Sequence, residues 1–224
     1  MESQAIWLTL RLAATTTILL LALAVPLSWW IANGRGPARA IVQACVALPL
    51  VLPPTVIGFY LLVGLGPLTA PGRLLIHILG HPLAFSFSGL VVGSVLYSLP
   101  FAVLPLVAGF QAIGPEYVEA ASMLGASPIR SFFDVTLPLA RPALLSASVL
   151  VFLHTVGEFG VVLMVGGNIP GTTQTLSIAL FDQVQDANYA DANRTALIMI
   201  VFAIIGLALV YSRRPWRDSG RQLA

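Results

Sequence analysis

The sequence contains no lysine, because all 11 of its basic residues are arginines. A phosphate-binding loop of the G-x-x-x-x-G-K-[ST] type requires that lysine, so the chain by itself is not a P-loop ATPase. Catalysis through a lysine Schiff base is excluded for the same reason. The single cysteine, Cys45, permits neither an intrachain disulfide nor a multi-cysteine metal site. The sequence also lacks G-x-S-x-G and H-E-x-x-H motifs, and we expect no catalytic residue, cofactor or metal.

Charged residues are scarce as well. They make up 9% of the chain, whereas a soluble domain has about 25%. Hydrophobic residues make up 58%, the mean hydropathy is +0.92, and the 19 glycines and 16 prolines suit helices that cross lipid. The net charge of +2 and the dispersed arginines argue against nucleic acid as a partner. We expect a single domain, residues 1–224, embedded in a lipid bilayer.

Five apolar stretches are long enough to cross a bilayer, for which a helix needs about 20 residues. Because an open sheet would leave backbone groups unpaired in lipid, the fold class predicted is all-α. The stretches lie at about 6–32, 40–65, 84–110, 142–166 and 193–211. A cleaved secretory signal over residues 1–24 is an alternative for the first stretch. The apolar run continues as far as Trp29 and Trp30, which favours a membrane span.

The arginines are distributed unevenly over the connections between these stretches. Eight lie in the connections after the first and third stretches and in the tail, namely Arg35, Arg39, Arg130, Arg141, Arg213, Arg214, Arg217 and Arg221. The opposite side has only Arg11, Arg73 and Arg194, and three aspartates crowd its fourth connection. By the positive-inside rule, this asymmetry predicts an N-terminus outside and a C-terminus in the cytoplasm.

The connection at residues 111–141, called the coupling segment below, carries signals for two short helices. Pro115 follows Gly114 at a favourable helix start, and Glu116 and Glu119 suit the positive end of the helix dipole. Gly125 predicts the helix stop, since glycine readily adopts the left-handed conformation.

A second helix is predicted to start at Ser127 and Pro128 and to run through Phe132 and Phe133. We expect Leu137-Pro138 to break this helix before the fourth apolar stretch begins.

The same segment resembles the E-A-A-x-x-x-G-(x9)-I-x-L-P loop of bacterial ABC importer permeases, with valine at position 135 in place of isoleucine. This resemblance implies a type I importer fold of five transmembrane helices with a cytoplasmic coupling helix that docks into a separate ATP-hydrolysing subunit. The residues it assigns to that contact are Glu116, Glu119, Ala120, Ala121, Gly125, Phe132, Phe133, Leu137 and Pro138. An amphipathic helix lying on the membrane is the alternative, but it does not explain the motif's spacing.

Three further stretches indicate which group of importer permeases the chain resembles. Residues 48–58 resemble the second span of molybdate permeases, and residues 157–160 and 167–175 resemble the span-four exit of molybdate and sulfate permeases. The implied protein is a non-catalytic subunit that imports molybdate, with tungstate accepted, across the bacterial inner membrane. Sulfate or thiosulfate import and a stand-alone secondary transporter are the alternatives.

The resemblance also implies partners. These are a second copy of the chain, two ATP-binding subunits and an external substrate-binding protein. The contact with the binding protein is expected at Asn168, Pro170, Gly171 and Thr172.

Glu158 is the only acid well within a predicted span, and such a residue must face protein or water. His154 lies four residues earlier, which would place it on the same helical face. The pair could form a gate, a proton relay or an interhelical polar contact. We favour the last, because a fixed carboxylate would repel an anionic substrate. Two side chains also make a poor zinc site.

Overall fold

The computed structural model describes residues 2–34 and 36–212, and all regular structure in these residues is helical. The predicted all-α class is therefore confirmed for them. The arginines at positions 35, 213, 214, 217 and 221 lie outside the described residues. In chain order the helices are α1 (Glu2–Asn33), α2 (Pro37–Ala47), α3 (Pro54–Leu65), α4 (Ala70–Leu79), α5 (Phe87–Tyr97), α6 (Leu99–Gln111), α7 (Pro115–Met123), α8 (Pro128–Ser131), α9 (Leu137–Leu139), α10 (Arg141–Gly157), α11 (Gly160–Gly166), α12 (Leu176–Gln185) and α13 (Tyr189–Ser212).

The first and last predicted spans are continuous helices, α1 and α13, and both are long and apolar enough to cross a membrane. Pro26 lies inside α1 without breaking it. The two helices differ in burial: 39% of the apolar window of α1 is buried inside the protein, compared with 11% for α13. Hence α1 is central, and α13 is peripheral.

The second and third predicted spans are bent. The helical stretches Pro37–Leu50 and Pro54–Leu65 meet at 108°, and Phe87–Tyr97 and Leu99–Gln111 meet at 42°. A proline accompanies each bend. Pro53 is extended, with a ψ of 138°, and Pro100 in the first turn of α6 lacks the N–H that would continue the hydrogen bonds of α5. Apolar length alone could not reveal these bends. The described chain contains up to five spans if each bent pair is counted once.

The fourth predicted span is also interrupted. Helix α10 ends at Gly157 and α11 starts at Gly160, with Glu158 in an extended conformation between them. At its other end α10 meets the stretch Pro128–Leu139 at 69°. The five-span topology thus remains a prediction, with breaks at positions that hydropathy does not mark.

The core forms where α1 packs along α6 and α10. Its fully buried side chains include Leu20, Ala24, Ile31, Val103, Leu106 and Val151. A second packed region joins α3, α5 and α11. Here Gly58 allows close approach: a Cβ at this position would lie 2.6 Å from the Cβ of Met164. A Cβ at Gly160 would likewise lie 2.6 Å from the Cβ of Pro54, so the break before α3 lies beside the break before α11.

Candidate functional site

The coupling segment folds as two short helices joined by a left-handed turn. Helix α7 starts at Pro115 after the cap residue Gly114, and Gly125 has a φ of +82°. The Gly125 N–H donates to the Ser122 carbonyl at 2.9 Å, which is a typical helix end. The predicted start and stop of this helix are therefore confirmed.

The second helix starts as predicted but does not end as predicted. Ser127 caps it by accepting a hydrogen bond from the Arg130 N–H at 3.3 Å. The expected break at Leu137 and Pro138 is wrong, because the chain stays helical through a π turn (Phe132–Thr136) and α9. The Leu137 N–H donates to the Phe132 carbonyl, and Pro138, which has no N–H, lies in the first turn of α9. The bend follows at Ala140.

Helix α7 is almost entirely exposed, and its main packing partners are α8 and the π turn. At its end, Met123 and Leu124 are 90% and 89% exposed, and Ile129 on α8 is 72% exposed. Large apolar side chains that cluster on a surface mark a contact with another protein or with lipid.

The residues predicted to bind an ATPase subunit divide into two groups. Glu116, Glu119, Ala120, Gly125 and Phe133 are exposed, whereas Ala121, Phe132, Leu137 and Pro138 are partly buried. The difference is sharpest between the two phenylalanines. Phe133 is 60% exposed. The centroid of the Phe132 ring lies 5.1 Å from the ring centroid of Trp29 and 6.2 Å from that of Phe110. Phe132 thus packs toward the rest of the domain.

His154 and Glu158 do not share a helical face, because α10 ends between them. The His154 Nδ1 lies 2.9 Å from the Ser98 hydroxyl oxygen, and its ring stacks on Phe101 at 4.0 Å. Both partners belong to the α5–α6 bend, since Ser98 joins the two helices. His154 therefore links α10 to this bend, which the sequence alone did not indicate.

Glu158 is 3% exposed, with its carboxyl beside the Ser94 hydroxyl of α5. Within the described residues, neither group completes a hydrogen bond by geometric criteria. The Glu158 backbone carbonyl instead accepts a hydrogen bond from the Ser177 hydroxyl of α12. The residue thus lies where α5, α12 and the α10–α11 break meet.

The two helix breaks enclose a cleft of about 520 Å³. Its lining includes Pro54, Thr55, Tyr97, His154, Glu158 and Gly160. Sequence reasoning did not select Tyr97. Its position just before the α5–α6 bend was the available signal. The cleft therefore brings hydroxyl, imidazole and carboxyl groups together between the two breaks.

The four residues expected to contact a binding protein are all exposed. Asn168 donates through its amide to the Asp182 carboxylate at 2.7 Å, and Gln174 donates to the same oxygen at 3.0 Å. Gln174 and Asp182 line an acidic cleft of about 730 Å³, together with Asp186, Asp191 and Arg194. The bond from the Leu176 N–H to the Thr9 hydroxyl, at 2.9 Å, ties this region to α1.

A scan of known families matches residues 5–213 to the binding-protein-dependent transport system inner membrane component. The molybdenum transport system permease protein ModB of Azotobacter vinelandii is 51% identical, over 95% of this chain and 94% of the relative. The ModB protein of Haemophilus influenzae is 35% identical, over 93% and 92%. The sulfate transport system permease protein CysT of Salmonella typhimurium is 31% identical, over 80% and 64%.

Two solved structures share the fold. A bacterial ABC transporter that imports alginate superposes with a TM-score of 0.73 at 19% identity, over 95% of this chain and 79% of that chain. The alginate transporter in complex with a pentasaccharide-bound periplasmic protein gives 0.72 at 21% identity, over 93% and 75%. Since the family match covers nearly the whole sequence, this chain belongs to the inner membrane components of binding-protein-dependent transport systems.

Proposed function

We propose that this chain is the membrane-spanning subunit of an ABC importer for molybdate, which also accepts tungstate. The observation that carries this proposal is the 51% identity, over 95% of the chain, to the molybdenum permease of A. vinelandii. The chain does no chemistry itself. Two separate subunits hydrolyse ATP, and the chain converts their movement into alternating access of a path formed by two of its copies.

The exposed coupling segment supports docking to an ATP-binding subunit. Met123, Leu124 and Ile129 offer apolar surface, and the small Ala120 allows a partner to approach the helix closely. The left-handed turn at Gly125 brings the ends of α7 and α8 together in one projecting tip. One such tip on each copy of a homodimer would bind one ATPase subunit.

For the opposite surface we propose docking of the substrate-binding protein near Asn168, Pro170, Gly171 and Thr172. Asp182, Asp186 and Asp191 line the neighbouring cleft together with one arginine, Arg194, and this negative balance disfavours the approach of a free oxyanion. A carrier protein with a basic rim would instead be attracted to this surface. The acidic cleft thus favours delivery by a protein over direct entry of the anion.

We further propose five spans in the bacterial inner membrane, formed by residues 1–224, with the N-terminus outside and the C-terminus in the cytoplasm. Among the described arginines, Arg39 and Arg141 would flank the cytoplasmic side, and Arg73 and Arg194 the external side. The test is a reporter enzyme that is active only in the periplasm, fused after residue 221. Its activity there would contradict this orientation.

The breaks at residues 51–53, 98 and 158–159 are proposed as the places where the spans bend during transport. Non-helical backbone is tolerated at membrane depth where it is buried in protein or lines a cavity. Ser98 is fully buried and the break at Glu158 and Phe159 lines the cleft, whereas Val51 is 83% exposed. In this arrangement Glu158 and His154 are interhelical polar contacts that hold α10 against α5, α6 and α12. They are not substrate ligands.

The experiment that tests the substrate uses proteoliposomes with the permease, its ATP-binding subunits and ATP. The cognate binding protein delivers labelled molybdate or sulfate at equal low concentration. We expect ATP-dependent molybdate uptake well above sulfate uptake. Equal or greater sulfate uptake would favour the sulfate alternative. The similarity to the S. typhimurium sulfate permease is the reason for including sulfate in the test. Uptake without ATP-binding subunits would instead favour a secondary transporter.

A further inference from the structure

The coupling segment is attached to the membrane helices through few contacts. Helix α7 packs chiefly on α8 and the π turn. Between α7 and the ends of α1 and α6 there is a cavity of about 470 Å³, whose lining includes Phe110, Val118 and Glu119. Direct packing of α7 against these two helices is therefore slight. Besides the π turn, α7 is joined to α6 by the short connection that contains Ile113, which packs against the main buried cluster.

The Phe132 ring bridges this gap. It contacts Trp29 near the end of α1 at 5.1 Å and Phe110 near the end of α6 at 6.2 Å. Phe132 also packs against the main buried cluster, which includes Ile31 and Leu106. Phe132 belongs to the π turn, against which α7 packs. Its single side chain therefore connects the coupling helices to both α1 and α6.

The surrounding backbone allows this side chain to move with the coupling helices. The π turn departs from regular α-helix, and the bend at Ala140 separates Pro128–Leu139 from α10 by 69°. Coupling between distant sites is carried by packed side chains and rigid elements with alternative arrangements. In such a mechanism the 69° bend at Ala140 is the place where the stretch Pro128–Leu139 would change its angle to α10, and the Phe132 ring would follow.

We propose that Phe132 is the residue that transmits movement of the coupling helices to α1 and α6, whereas Phe133 belongs to the ATPase-docking surface. This inference rests on the proposed function, since it requires an ATPase partner. Phe132 acts as a positioning residue: it contacts neither substrate nor nucleotide, and it converts displacement of the segment into displacement of two spans.

The first test compares Phe132→Ala with Phe133→Ala in the full reconstituted complex. For Phe132→Ala we expect normal co-purification of the ATPase subunits and persisting basal ATP hydrolysis. Molybdate taken up per ATP hydrolysed should fall by about tenfold or more. For Phe133→Ala we expect loss of ATPase subunits, with normal uptake per ATP in complexes that remain assembled.

Two controls separate transmission from stability. Phe132→Leu keeps apolar bulk at the contact and should recover most of the uptake per ATP. Val151→Ala removes volume from the same buried cluster away from the coupling segment, so it should lower Tm without changing uptake per ATP. If Phe132→Ala does not accumulate in the membrane, Trp29→Leu removes the other ring of the same contact. This variant should lower uptake per ATP hydrolysed to a similar extent.

The second test follows the movement itself with spin labels. Cys45 is exposed and would first be replaced by serine. One label is then placed at Ser122 on α7 or at Asn33 at the end of α1, giving one distance across the homodimer in each case. On ATP binding, both distances should change in the otherwise unmodified permease. In Phe132→Ala only the Ser122 distance should change.

Three results would overturn the inference while leaving the proposed function intact. The first is normal uptake per ATP in Phe132→Ala, and the second is an Asn33 distance that still responds to ATP in that variant. The third is loss of ATPase subunits from Phe132→Ala to the same extent as from Phe133→Ala, which would make Phe132 a docking residue. An unmodified permease that retains no ATPase subunit would overturn both proposals.

Discussion

Helix α7 and the turn after it in the coupling segment expose most of their side chains, whereas the helix break at Glu158 buries its carboxyl. In the segment, Met123 and Leu124 are about nine-tenths exposed. At the breaks, Glu158 is 3% exposed and Ser94 is fully buried. The two regions should therefore respond differently to substitution. Changes in the segment should alter function at constant stability, and changes at the breaks should alter stability first.

The largest expected effect is at the break, for Gly58→Val. A Cβ at Gly58 would lie 2.6 Å from the Met164 Cβ and 3.3 Å from the Val161 Cα, so α3 and α11 must separate. Overpacking of this kind costs about 1–3 kcal/mol, and we expect low membrane abundance and a lowered Tm.

Gly64→Val is the matched control, because Gly64 lies on the same helix with open space around it. Equal loss of Tm in both variants would show that the contact between α3 and α11 is not what limits stability.

The next effect is in the coupling segment, for Gly125→Val and Glu119→Lys. A β-branched residue resists the left-handed conformation at Gly125, and lysine inverts a charge on α7. We expect normal abundance but uptake and transport-coupled ATP hydrolysis lowered by about tenfold.

Gly36 is the control for backbone strain. Like Gly125, Gly36 has a positive φ, of +103°, and an added Cβ would have no neighbour within 4 Å. Unlike Gly125, it lies outside the coupling segment. Gly36→Val should therefore keep its uptake. Normal uptake by both coupling variants at normal abundance would contradict the proposed docking.

A smaller effect is expected at the break for Glu158→Gln. If Glu158 is an interhelical polar contact, an amide of the same shape should retain uptake within about threefold, because no completed side-chain hydrogen bond is lost. A proton relay would lose uptake altogether. The measurement is ATP-dependent uptake, with Glu158→Leu as the variant that removes the polar group.

The smallest effect is expected for Arg130→Ala. Arg130 pairs with Asp134 at 3.1 Å, but both side chains are largely exposed. Such i,i+4 pairs contribute about 0.3–0.5 kcal/mol, so Tm should barely change. A large drop in Tm would mean that the coupling segment depends on this pair and is less independent of the rest of the protein than the structure indicates.

Local signals account for what could be predicted in the coupling segment. The starts at Pro115 and Pro128 and the stop at Gly125 depend on residues within one turn of each boundary, and the structure confirms all three. The continuation through Pro138 was missed, because a π turn shifts the hydrogen bonds so that the missing N–H is tolerated. Composition does not encode that shift.

The all-helical class, the long helices α1 and α13 and the local form of the coupling segment follow from the sequence. Apolar length, proline and glycine act on the backbone without distant partners. The inward packing of Phe132, the exposure of Phe133 and the position of Glu158 in a break beside Ser94 depend instead on how the helices pack. Those placements depend on contacts between residues far apart in the chain, such as Trp29 with Phe132, and side-chain type alone carries no information about which distant surface a residue meets.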